Sequence, residues 1–150
     1  MNSDFYPFLS DEDCLFFEFE SISKTRTIKK IITFTPIPKQ LDVYNLAFGD
    51  IQSNGEFSDM SISNNQDTAK VFSTVIQSIT RFFKKFPDAL VFIKGSTSGR
   101  TRLYRIIISK EIASGNNCFE IYGVINDQIE LFIADRLYEA FVISLKQHPF

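Results

Sequence analysis

The chain holds no tryptophan, one histidine and two cysteines among its 150 residues, and each scarcity removes a class of chemistry. No Cys-x-x-Cys or His-x-x-x-His spacing is present, so a structural zinc site is excluded and no metal or other cofactor is expected. The single His148 sits two residues from the end, where it reads as a bystander and not a catalytic base. Cys14 and Cys118 lie far apart inside apolar stretches, and both read as buried free thiols. No run approaches the roughly 20 apolar residues that span a bilayer. Met1-Asn2-Ser3-Asp4 lacks the basic start of an export signal, so a cytoplasmic chain without a membrane partner is expected.

What is abundant is phenylalanine: 17 Phe and 5 Tyr in a chain that is 44% hydrophobic and 23% charged. Those proportions belong to a globular domain, and the length suits one domain over residues 1–150. Most of the rings fall in strands or on the apolar face of a helix, which predicts core and not a platform for stacking bases.

Hydrophobic periodicity predicts an α+β fold. Strands are expected at Cys14 to Ser21, Lys24 to Thr35, Tyr44 to Asp50 and Phe57 to Ser63, with Pro36 and Pro38 ending the second and Ser53-Asn54-Gly55 turning between the last two. Asn64-Asn65-Gln66-Asp67 then offers helix-capping side chains. Val71, Phe72, Val75, Ile76, Ile79, Phe82, Phe83 and Phe86 follow at helical spacing, up to Pro87. Ala89 to Lys94 reads as a central strand buried on both faces, and Thr101 to about Ile112 as a second helix ending near Gly115. Phe119 to Val124 and Gln128 to Ile133 form a hairpin around Asn126-Asp127, and Ala140 to Leu145 is the last strand. The order is ββββ-α-β-α-βββ, an antiparallel sheet with two helices packed on one face.

A formal net charge of −2 excludes a uniformly basic polyanion binder, yet the charges are segregated. Ser21 to Leu41 holds Lys24, Arg26, Lys29, Lys30 and Lys39 with no acid, and Ala89 to Lys110 holds Lys94, Arg100, Arg102, Arg105 and Lys110, again with none. The first 20 residues carry six acids and no base. In the first window the plain reading is cross-strand pairing of Glu18 or Glu20 with Arg26, Lys29 or Lys30.

The second window is harder to explain as ordinary surface. An apolar strand runs into Lys94-Gly95-Ser96-Thr97-Ser98-Gly99 and then into a helix that opens with Arg100, Arg102 and Arg105. Loop amides, a helix dipole and arginines together suit a phosphate or carboxylate. The expected contacts are Lys94, Gly95, Ser96, Thr97, Gly99, Arg100, Arg102, Tyr104 and Arg105. Arg102 and Arg105 share one helix face, and Tyr104 is either simply buried or turns its hydroxyl to the rim. The loop is not a nucleotide-hydrolysing P-loop: three residues, not four, separate Gly95 from Gly99, and Arg100 stands where that motif requires lysine.

The strings Tyr44-Asn45-Leu46-Ala47-Phe48-Gly49-Asp50, Asn64-Asn65-Gln66-Asp67-Thr68-Ala69-Lys70-Val71, Pro87-Asp88-Ala89 and above all Gly95-Ser96-Thr97 followed by Arg100-Thr101-Arg102-Leu103-Tyr104-Arg105 carry a resemblance. Together, across about residues 5 to 145, they resemble an uncharacterised family of small proteins from Bacteroidota. The resemblance implies no activity. Proteins of this type often come from two-gene toxin–antitoxin or defence cassettes. It also groups Asp50, Asn64, Asn65, Asp67 and Lys70 as supporting positions, against their plain readings as cap, turn and solvated residues.

Three functions are therefore expected to compete. One is an anion-binding module for RNA, DNA or a nucleotide. A second is a metal-independent toxin enzyme acting on RNA or nucleotides, with Asp50, Asp67 or Tyr104 moving protons. The third is an interaction subunit with a protein partner or a second copy.

Overall fold

The computed structural model describes residues 4–51, 54–55, 57–58, 67–113 and 118–146. Among them the chain forms β1 (Leu9–Ser10), β2 (Phe16–Ile22), β3 (Thr27–Pro36), β4 (Val43–Ile51), β5 (Phe57–Ser58), α1 (Thr68–Lys85), β6 (Leu90–Ile93), α2 (Ser98–Ala113), β7 (Phe119–Ile125), β8 (Gln128–Leu131) and β9 (Ala140–Leu145). The class is α+β, and the order expected from the sequence holds, with the short β1 added in front. The chain divides into two compact units, Met1–Phe34 with Ala47–Lys85, and Thr35–Leu46 with Phe86–Phe150.

In the first unit the strand order is β1-β2-β3-β4, with β5 on β4. β2 and β3 pair antiparallel from Phe16 opposite Thr33 to Ile22 opposite Thr27. The two-residue period sends Phe17, Phe19 and Ser21 inward and leaves Glu20 and Ile22 exposed. Helix α1 forms because apolar residues recur every three or four positions. Val71, Val75, Ile79, Phe82 and Phe83 are all buried, and Lys84 and Lys85 in the last turn complement the dipole ahead of Pro87. The Phe82 ring stacks on Phe34 of β3 at 4.4 Å between centroids. Each such buried ring contributes about 1.5–3 kcal/mol. Gly55, at φ 86°, makes the turn that sets Asp50 opposite Ser58; residues 59–63 of the longer strand expected there lie outside the described residues, as does His148.

In the second unit the order is β4-β6-β9-β7-β8. β4 and β6 pair in parallel, Val43 opposite Leu90 through Leu46 opposite Ile93, which demands the long connection that β5 and α1 supply in sequence. Asn126 and Asp127, at φ 52° and 61°, form the tight hairpin turn expected between β7 and β8. β8 stops at Leu131, short of Ile133, because the Ile133 N–H bonds to the Tyr138 hydroxyl at 3.0 Å instead of extending the ladder. That tyrosine lies over Gly123, where a Cβ would come within 2.2 Å of its ring, and its hydroxyl donates to Glu130 Oε2 at 2.6 Å.

Two sequence expectations need correction. β6 is central, between β4 and β9, but only Val91 and Ile93 are buried; Leu90 and Phe92 lie on the more open side with Ser144 and Val142 across the register. Its unbroken apolar run misled because large apolar side chains tolerate partial exposure. Among the described residues the cysteines form no disulfide, yet neither is buried: Cys14 is half-buried in a turn at φ 59° and Cys118 is exposed just before β7. Lying in an apolar stretch does not bury a residue at a turn or strand end.

Candidate anion-binding site

The second basic window begins where β6 ends. Lys94 is exposed, and the chain then closes tightly on the start of α2. Gly95 is required by that approach: a Cβ there would stand 2.3 Å from the Thr101 amide nitrogen. The Gly95 N–H donates to Thr101 Oγ1 at 3.1 Å, and that hydroxyl in turn donates to the Thr97 carbonyl at 3.3 Å. Thr97 is the N-cap, its Oγ1 accepting from the Arg100 N–H at 3.2 Å, and the Thr101 N–H closes the first helical turn on the Thr97 carbonyl at 3.1 Å. α2 therefore starts at Ser98, three residues earlier than its composition suggested, and Gly99 lies in its first turn, where a Cβ would meet only Thr97 Oγ1 at 3.8 Å.

This geometry sorts the expected contacts. Arg100 is only 6% exposed, and its Nη2 donates to the Tyr104 hydroxyl, one turn on, at 3.2 Å with the guanidinium 5.4 Å from that ring. Tyr104 is buried in its turn. This pair braces the helix start from within. Ser96, Thr97 and Gly99 are exposed, as is Arg102, and Arg105 is half-buried.

Down the helix, Arg102, Arg105, Ile106, Ser109 and Lys110 follow at steps of three and four, away from the buried Tyr104, Ile107 and Ile108. Ile106, 37% exposed, sits among the bases. Arg105, Ile106, Ser109 and Lys110 line a surface cavity of about 260 Å³. Ile106, Ser109 and Lys110 were not among the expected contacts, although their spacing from Arg102 is visible in the sequence. Among the described residues, Lys94, Arg102, Arg105 and Lys110 make no ion pair.

Of the supporting positions, Asp50, Asp67 and Lys70 belong to the first unit and have structural partners there. Asp50 pairs with Lys30 at 2.6 Å, the lysine 1% exposed and its ammonium 5.8 Å from the Phe48 ring. Asp67 opens α1 through its carbonyl, which accepts from the Val71 N–H at 3.0 Å. Its carboxylate accepts the hydroxyls of Tyr6 and, at 2.5 Å, of Ser21. Burial and, after it, the bond to Asp67 hold the Tyr6 hydroxyl above the ordinary tyrosine pKa. Lys70 lies 4.4 Å over the Tyr6 ring and 3.5 Å from Asp4. Asn64 and Asn65 lie outside the described residues.

No helix among the described residues is long and apolar enough to cross a membrane. No curated protein and no solved structure matches the chain. A family match runs over residues 2–146, spanning both units, and by it the chain belongs to DUF6934, a family of unknown function.

Proposed function

We propose that this chain is an intracellular module that holds a phosphate-bearing ligand, RNA, DNA or a nucleotide, on the outer face of α2. One observation carries the reading. Lys94, Arg102, Arg105 and Lys110 have no acid partner among the described residues, along a window that contains no Asp or Glu. Phosphate oxygens are the ligands such cations grip best. The internal bonding of the loop favours the helix face over Gly95 as the contact surface, because the Gly95 and Arg100 amides are already bonded to Thr101 and Thr97.

The toxin-enzyme reading gains no support, since Asp50 and Asp67 already hold structural partners. A place in a toxin–antitoxin or defence cassette, and kinship with proteins of Bacteroidota, belong to the same proposal through the Gly95-to-Arg105 string. Titration of labelled RNA, DNA and nucleotide at two salt concentrations tests the binding. Wild type should bind at least one of them with affinity that falls as salt rises, and Arg102→Glu should weaken it about tenfold or more. Equal, weak binding by both proteins would remove the reading.

A further inference from the structure

Resting on that phosphate reading, we propose that the ligand is the sugar–phosphate backbone of a single-stranded nucleic acid, with one base turned into the cavity beside Ile106. Three observations favour a strand over a free nucleotide or a duplex. The first is the state of the helix start. A lone terminal phosphate is well held by convergent backbone donors at a helix start. Here the Gly95 and Arg100 amides are bonded to threonine hydroxyls, and the Arg100 guanidinium is buried against Tyr104.

The second is the spread of the cations. Arg102 and Lys110 are eight residues apart on one helix, which at about 1.5 Å per residue places them about 12 Å apart along the axis. That suits a row of phosphates better than one.

The third is the cavity. Its volume of about 260 Å³ is bounded by the apolar Ile106, the Ser109 hydroxyl and the cationic Arg105 and Lys110. A planar guanidinium stacks on a base and an apolar side chain supports one, while a hydroxyl meets its edge. A duplex keeps its bases stacked inside and cannot fill such a hollow, whereas a single strand can splay one out. Stacking and charge read no particular base, so binding should tolerate sequence.

The test uses the full chain and fluorescence anisotropy with a labelled single-stranded RNA 12-mer, the DNA 12-mer of the same sequence, and the DNA duplex, with adenosine monophosphate and inorganic phosphate as competitors. Single strands should bind about tenfold or more tighter than duplex, neither competitor should displace them at equal nucleotide concentration, and the RNA and DNA arms identify the source. Ile106→Ala, which leaves every charge in place, should weaken single-strand binding several-fold and leave duplex binding unchanged. Arg102→Glu and Lys110→Glu should weaken both. Displacement by adenosine monophosphate, or equal binding of duplex, overturns the strand inference while sparing the phosphate reading. Unchanged binding by Ile106→Ala overturns the seated base. If no phosphorylated probe binds, both readings fall.

Discussion

Residues 24 to 30 and residues 94 to 110 are alike in composition, each a basic stretch without acid, yet the fold treats them differently. In the first, Lys30 is driven inside to meet Asp50, and Lys29 reaches Glu18 on the neighbouring strand at 3.5 Å. In the second, one arginine is buried to brace the helix, and the other bases, three exposed and Arg105 half-buried, have no acid partner among the described residues. The cause is local. A strand beside an acidic strand offers partners on the same face every second residue. A helix rising from an acid-free loop offers none along its outer stripe. Similar charge therefore serves stability in one unit and remains available in the other.

Breaking the buried pair should produce the largest effect. Asp50→Ala strands the Lys30 ammonium and should cost about 3–5 kcal/mol in urea unfolding, against about 1 kcal/mol or less for Lys29→Ala at the partly exposed pair. A small cost at Asp50 would erase the contrast. The two glycines of the second window separate next. Gly95→Ala forces a Cβ into the Thr101 amide and should destabilise by about 1–3 kcal/mol, whereas Gly99→Ala meets only Thr97 Oγ1 at 3.8 Å and should stabilise the helix by about 0.5–1 kcal/mol. Thr97→Ala removes the cap and should cost about 1 kcal/mol.

The smallest effect sharpens the first unit through pH. The Tyr6 hydroxyl has a raised pKa in the folded chain, so its neutral form is favoured by folding. That contribution is complete below the ordinary tyrosine value of about 10 and is lost as pH rises through the higher folded value. Tyr6→Phe should flatten this alkaline loss in stability measured from pH 8 to 11; an unchanged slope would show that Tyr6 does not cause it.

Much of the fold was legible because its signals are local. The spacing from Val71 to Phe83 determines α1, and Asn126-Asp127 supplies a turn that needs two residues at positive φ. The parallel pairing of β4 with β6 was not legible, since two strands more than forty residues apart announce no direction. Nor was the Tyr6, Ser21 and Asp67 cluster, whose members sit 61 and 46 residues from the aspartate. At the candidate site, charge segregation singled out the stretch from Lys94 to Lys110, and helical spacing put Arg102 and Arg105 on one face. The loop's composition hid Thr97 as a cap, and the burial of Arg100 depends on Tyr104 lying one turn beyond it. Those internal bonds are why the proposed contacts lie on the helix face and not in the loop.

The central claim is that the bases left in solvent on α2 exist to meet phosphate. The most direct measurement is the salt dependence of single-strand binding by wild type and by Arg102→Glu. Engagement of three or four phosphates predicts a slope of log affinity against log salt of about −2 to −3, shallower by about one in the variant. A slope near zero, or the same slope in both proteins, would contradict it.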